Sequence, residues 1–192
     1  MNINGTAGND NLNGTMGADT IDGLAGDDFI NGNAGADSIR GGLGNDYIQG
    51  ADGANDTIDG GDGNDIVSYN FGGNTPVNFT ASGTGTQSDG LGGTDTLLNI
   101  EEIHIFGGNA GDTLVGDARR NFIMGNEGND TLTGGSGSDT FSFDMARANG
   151  VDRITDFSTS DDLSIQNLVL TSVSGGSNTS TLARGAVLVG TP

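Results

Sequence analysis

The chain has 192 residues, of which 26 are acidic and six basic, giving a formal net charge of −20. That balance excludes a nucleic-acid binder that works through a basic surface. With no cysteine there are no disulfides or thiolate metal sites, and no apolar run approaches the roughly 18 residues of a membrane-spanning helix.

The N-terminal stretch, from Met1 to Asp10, has neither a positive start nor an apolar core, so it is not a conventional secretion signal, and any export is expected to use another route. Self-similarity then dominates from residue 5. Seven units begin at Gly5, Gly14, Gly23, Gly32, Gly41, Gly50 and Gly60; all have nine residues except Gly50–Asp59, which has one more. Glycine recurs at position 4 as Gly8, Gly17, Gly26, Gly35, Gly44 and Gly63. Position 6 carries Asp10, Asp19, Asp28, Asp37, Asp46, Asp56 and Asp65. In the long unit Asn55 and Asp56 compete for this place, and Asp56 is expected because it keeps Ile58 inward. Position 8 is aliphatic throughout: Leu12, Ile21, Ile30, Ile39, Ile48, Ile58 and Val67.

Residues 69–89 break the period and read as a short, hairpin-like β insertion. The template returns at Gly90, with Asp95 at position 6, and Ile105 is expected to fill an inward slot behind a degenerate turn. Four further units follow, with Gly107, Gly125 and Gly134 at position 1 and Gly128 and Gly137 at position 4. Ala110 and Arg119 replace the position-4 glycine in the other two. Position 6 is Asp112, Asn121, Asp130 and Asp139, and position 8 is Leu114, Ile123, Leu132 and Phe141. The expected organisation is a first block at 5–68, the insertion at 69–89, a second block at 90–142 and a C-terminal capping segment at 143–192.

One unit has a legible physics. Glycine at positions 1 and 4 permits positive φ, so six residues can form a tight turn with its carbonyls inward. The other three suffice only for a short strand, whose middle residue faces one way and whose neighbours face the other. One aliphatic per unit cannot bury itself, but stacked coils turn these residues into a continuous ladder. The fold class expected is all-β, a parallel β-roll or β-solenoid. Low hydropathy with high charge is also the signature of a disordered chain, so order is expected under one condition and disorder under another.

If two units make a coil, Asp10, Asp28 and Asp46 share one edge and Asp19 and Asp37 the other, with coils about 4.8 Å apart. A single such Asp reads as a turn former. A column at fixed register, with 23 Asp against only 3 Glu in the chain, calls for cations between the coils. Carboxylate and carbonyl oxygens without His or Cys select Ca2+ over Zn2+ or copper, and Mg2+ is less suited because it retains water.

On these residues the chain resembles the RTX family of calcium-binding nonapeptide repeats, GGxGxDxUx. The likeness covers 5–68 and 90–142. It implies calcium between successive coils, each ion held by two position-6 side chains and by carbonyls from positions 1 to 4 of both turns. The implied pairs are Asp10 with Asp28, Asp19 with Asp37, Asp28 with Asp46, Asp37 with Asp56, Asp46 with Asp65, Asp112 with Asp130, and Asn121 with Asp139. Roughly seven divalent ions would bring the charge to about −6. Asn121 offers a neutral oxygen, so a weaker site is expected there. Asp152, Asp156 and Asp161 are either further ligands or a solvated acidic loop. The resemblance further implies a bacterial protein secreted by the type I route, which folds on meeting calcium outside. The chain is expected to be a fragment, ending at Val187–Pro192 short of the secretion signal.

His104 is expected to be exposed and not catalytic, since no nucleophile–base grouping accompanies it; no enzymatic activity is expected. Phe29, Tyr47 and Ile66 form an apolar register on one outer face. Such a stripe marks a contact, either with residues 69–89 or the tail folded back over it, the favoured expectation, or with an external partner such as a cell-surface or polysaccharide ligand. A monomer is expected.

Overall fold

The computed structural model describes residues 1–50, 52–82, 85–147, 150–167 and the backbone of 188–189; the rest of the expected capping segment and the expected C-terminal end lie outside the described residues. Among those described, every regular element is a strand, so no helix is long and apolar enough to cross a membrane. In chain order the first block contains β1 (Asn2–Asn4), β2 (Asn11–Asn13), β3 (Thr20–Ala25), β4 (Phe29–Asn31), β5 (Ser38–Leu43), β6 (Tyr47–Gln49), β7 (Thr57–Asp62) and β8 (Ile66–Asn70). Then come β9 (Asn78–Thr80), β10 (Gly85–Ser88), β11 (Thr94–Leu98) and β12 (Glu102–Phe106). The rest are β13 (Thr113–Val115), β14 (Arg120–Met124), β15 (Thr131–Thr133), β16 (Thr140–Asp144), β17 (Arg153–Ile154), β18 (Asp162–Gln166) and β19 (Leu188–Val189).

The strands stack as a parallel β-solenoid of about eight turns. One face is a single eight-stranded sheet in the order β18-β16-β14-β12-β8-β6-β4-β2. The opposite face is split into a six-stranded sheet, β1-β3-β5-β7-β11-β10, and a five-stranded sheet, β19-β17-β15-β13-β9. The split coincides with the insertion. β9 pairs with β13 and opens the third sheet, while β10 pairs antiparallel with β11 and closes the first. The long sheet joins both repeat blocks, because β12 pairs with β8 on one side and β14 on the other.

The core is the pair of aliphatic ladders expected from the period. Ile21, Ile30, Ile39, Ile48, Ile58 and Val67 are all buried, and each stands over its counterpart one coil away. At β12 the ladder of the long sheet moves sideways. Ile103 stacks on Val67 and Ile105 on Tyr69, yet on the far side it is Ile105 that meets Ile123, while Ile103 meets Asn121. Ile103 therefore occupies position 6 of its unit as an apolar, fully buried residue. The insertion fills the width this step creates. Tyr69, Phe71 and Phe79 are buried and pack on one another, with ring centroids 5.0 to 6.5 Å apart.

Candidate metal centre

Every repeat turn delivers its position-6 side chain just before a strand, where parallel stacking repeats it from coil to coil. Within each column the Asp Oδ1 of a later coil accepts the backbone N–H of the position-6 residue one coil earlier. Along one edge Asp10 donates to Asp28, Asp28 to Asp46 and Asp46 to Asp65, at 2.8 to 2.9 Å. Along the other, Asp19 donates to Asp37, Asp37 to Asp56 and Asp56 to Asp95, at 2.8 to 3.0 Å. The second block repeats this from Asp112 to Asp130 and from Asn121 to Asp139. All seven pairs drawn from the sequence thus stand one above the other. Each column also runs further: Asp65 donates to Glu101, Asp130 to Asp152 and Asp139 to Asp161. Asp156 stands apart, accepting the N–H groups of Gly134 and Gly135.

The other oxygen of each carboxylate divides the turns into two kinds. In the first turn of a column, Oδ2 is capped by the N–H of position 2: Thr6 to Asp10 at 2.6 Å, Thr15 to Asp19 at 2.5 Å and Gly108 to Asp112 at 2.7 Å. In interior turns, Oδ2 of Asp28, Asp37, Asp46, Asp65 and Asp130 is buried and accepts no hydrogen bond. The switch lies in the backbone. Position 2 of these five turns, Leu24, Asn33, Gly42, Gly61 and Asn126, has φ between 63 and 122°, whereas Thr6, Thr15 and Gly108 are not in that region.

The two glycines of the repeat therefore have different reasons. Gly26, Gly35, Gly44, Gly128 and Gly137 at position 4 have φ between 119 and 128°, a conformation that favours glycine. Position 1 does not need positive φ, contrary to the sequence-based expectation. There the constraint is space: a methyl group on Gly23 or Gly41 would overlap Oδ2 of the same turn's Asp and the position-1 carbonyl oxygen of the next coil. Bare carboxylate and carbonyl oxygens converge on that point, which is the donor set of a hard cation.

Burial pushes these carboxyls upward. Asp28, Asp37, Asp46 and Asp139 lie above the ordinary carboxylate range, Asp65, Asp95 and Asp130 reach about 6, and Asp56 and Asp152 about 7. Desolvation is the largest cause in each, and neighbouring carboxylates add to it. A family profile described as the RTX calcium-binding nonapeptide repeat matches the chain in four copies, over residues 2–30, 22–55, 51–76 and 106–141. The chain belongs to this family. No curated protein matches it. The RTX repeats account for both the calcium-binding donor set and the period of the roll.

Several site features departed from the period and were missed. Asp52, in the unit with the extra residue, brings a carboxylate oxygen within 4.8 Å of oxygens of Asp37 and Asp56. Asp89, at the end of the insertion, is buried with one unpartnered oxygen. Neither occupies position 6, so period alone could not find them. Asn121 turns its amide nitrogen, not its oxygen, into the turn, where it donates to Arg119 O, Gly134 O and Asp139 Oδ1 at 2.8 to 3.4 Å.

The outer face also differs from expectation. His104 does point outward, but its side chain is only 18 % exposed, held by Glu102 at 2.8 Å and packed against Tyr47, Phe106 and Phe122. Phe29 and Tyr47 stack at 5.6 Å and remain half-buried. The two strands that lie wholly within residues 69–89, β9 and β10, belong to the two sheets of the opposite face and not to the sheet that carries this stripe.

Proposed function

We propose that this RTX chain is a calcium-driven folding module of a secreted bacterial protein, exported unfolded by the type I route and ordered outside the cell. The observation that carries this reading is the set of five interior carboxylates with a buried, unpartnered oxygen. Ionised at neutral pH, such groups cost several kcal/mol each when left without a partner, so the metal-free roll is disfavoured. Calcium ligated between the turns removes that cost. The ligands we assign are the six stacked pairs of position-6 aspartates together with the position-1 carbonyls that face them, whereas the Asn121–Asp139 pair is closed by the Asn121 amide; calcium supplies the positive charge that lets the columns stack. Extracellular-type sites with dissociation constants of about 0.1 to 1 mM stay empty at cytosolic calcium and fill outside, and binding to the folded form alone drives folding by linkage. The role we assign is structural, that of a calcium-binding repeat.

The test is far-UV circular dichroism of the chain titrated with calcium from a chelated start, with magnesium as control. A cooperative gain of β signal with calcium and none with magnesium supports the reading. A chain already β-rich under chelation at neutral pH overturns it.

A second reading, an extracellular polysaccharide-binding module, is favoured by one observation. The stacked rings of Phe29 and Tyr47 lie on the same outer face as a groove of about 760 Å3 lined by Asn31, Asn33, Gln49 and Asn70. Flat rings beside amides suit sugar rings and hydroxyls. Affinity electrophoresis of the calcium-loaded chain through gels containing neutral or acidic polysaccharides tests it: retardation lost in Phe29→Ala/Tyr47→Ala supports it, and unretarded migration in every gel overturns it.

A further inference from the structure

The turn of the β10–β11 hairpin contributes an acidic group for which no repeat position accounts. Asp89 is fully buried. Its Oδ1 accepts the N–H groups of Leu91, Gly92 and Gly93 at 2.8 to 3.0 Å, while its Oδ2 accepts none. That free oxygen faces the bare Cα of Gly93. A methyl group on Gly93 would lie 2.5 Å from Asp89 Oδ2 and overlap the carbonyl oxygen of Ala54. A carboxylate oxygen from the hairpin turn and a carbonyl oxygen from the turn at 52–56 thus converge on one point between two loops.

Asp95, which holds position 6 in this coil, is not available to serve that point. Its Oδ1 takes the N–H of Asp56 at 3.0 Å and its Oδ2 takes the hydroxyl of Tyr69 at 3.0 Å. Negative charge nevertheless accumulates around it. Asp52 lies within 4.8 Å of Asp37 and Asp56 oxygens, and the charges of Asp89 and Asp52 both raise the Asp95 carboxyl. Asp37, Asp52, Asp56, Asp89 and Asp95, five acids on three successive turns, have no basic partner among the described contacts.

We propose that the hairpin turn and the turn at 52–56 hold a divalent cation of their own, ligated by Asp89 Oδ2 and the carbonyl oxygen of Ala54. The donors are all hard oxygens, which selects calcium among common divalent ions. This site lies outside the repeat pattern, since Asp89 precedes the unit at Gly90 and Ala54 is the fifth residue of the unit at Gly50. Its place in the fold gives it a role. Parallel stacking of the six-stranded sheet ends at β11, where β10 pairs antiparallel. A cation here clamps the closing hairpin to the last regular coil. The inference rests on the calcium reading of the repeats.

The experiment uses the full chain and two readouts. Tyr47 and Tyr69 are the two tyrosines of the chain, so in a Tyr47→Phe background tyrosine-sensitised terbium emission reports ions near Tyr69; Tyr69→Phe abolishes that emission and so assigns it. In this background Asp89→Asn, which keeps Oδ1 for the three N–H groups, is expected to bind one calcium fewer by equilibrium dialysis and to lose the greater part of the emission, with full β signal at saturating calcium. An unchanged ion count with unchanged emission overturns the site. Should Asp89→Asn not fold, the Tyr47→Phe parent decides: Tyr69-sensitised terbium emission that survives in Asp56→Asn, which disables the neighbouring repeat pair, supports the site, and emission lost with that pair overturns it. If the Tyr47→Phe parent binds no calcium, it is the reading of the repeats that fails.

Discussion

Asn121 Nδ2 donates to Asp139 Oδ1 at 3.1 Å and to the carbonyl oxygens of Arg119 and Gly134. These are the kinds of oxygen that converge without a donor in the interior turns of the first block. The amide stands where those turns have only acceptors, and the Arg119 guanidinium, ion-paired with Asp117 at 2.6 Å, holds the same turn from outside.

The substitution Asn121→Asp is therefore expected to destabilise the chelated chain more than the calcium-loaded one. Under chelation it removes the internal donor and adds a carboxylate beside Asp139, costing about 1 to 3 kcal/mol. With calcium at about tenfold above the dissociation constant of the restored site, linkage contributes roughly 1.4 kcal/mol in the stabilising direction. Thermal melts in chelator and in excess calcium measure both. A variant destabilised equally in the two conditions would show that the turn cannot accept an ion.

Leu24 holds φ at 75° in a turn where Asn33 and Asn126 hold the equivalent place at 63 and 66°. Leucine in that region costs about 1 to 2 kcal/mol, whereas asparagine tolerates it. Its side chain is 45 % exposed, so little packing is lost on replacement. Leu24→Asn is expected to raise stability by up to about 1 kcal/mol in urea titrations at saturating calcium. A drop in stability would mean that Leu24 makes a contact worth more than its strain.

The period-nine pattern made the ladders and the acid columns legible, because each depends on one residue type at one register. Ile48 is buried and Asp46 caps the N–H of Asp28 for reasons contained in their own units. What could not be read depends on partners far along the chain. Ile103 is apolar at a position-6 place only because Val67 is the residue beneath it, and the sideways step it marks requires Tyr69, Phe71 and Phe79 to fill the added width. The left-handed residue at position 2 was hidden for another reason. Leu, Asn and Gly all occupy it, so no residue type announces it, yet it decides which carboxylates are left without a donor.

The core is one residue wide, which makes its centre intolerant of cavities. Ile48 lies between Ile30 and Val67 and is fully buried. Truncation to alanine in a fully packed place costs about 2 to 5 kcal/mol. Leu12 has a ladder neighbour on one side only, at the edge strand β2, and is 9 % exposed. Ile48→Ala should therefore cost clearly more than Leu12→Ala in urea unfolding with calcium saturating. Equal costs would mean that the end coil is as well packed as the middle.

Acid should partly replace calcium. Asp65, Asp95 and Asp130 titrate at about 6 in the folded chain and Asp56 and Asp152 at about 7, against about 3.9 for an unfolded aspartate. A folded pKa above the unfolded one contributes stability that is fully present below the unfolded value and is lost as pH rises through the folded one. The calcium-free roll is thus expected to gain β signal as pH falls from about 7.5 to about 5, with the change centred between roughly 6 and 7. The calcium-bound roll behaves in the opposite sense, because protons compete for the same oxygens and calcium affinity weakens through that window. Circular dichroism under chelation at the two pH values, paired with calcium midpoints at each, separates the two effects. A calcium-free chain with no more β signal at pH 5 than at pH 7.5 would mean that neutralising the buried carboxylates is not what the fold requires, and that calcium acts by geometry in addition to charge.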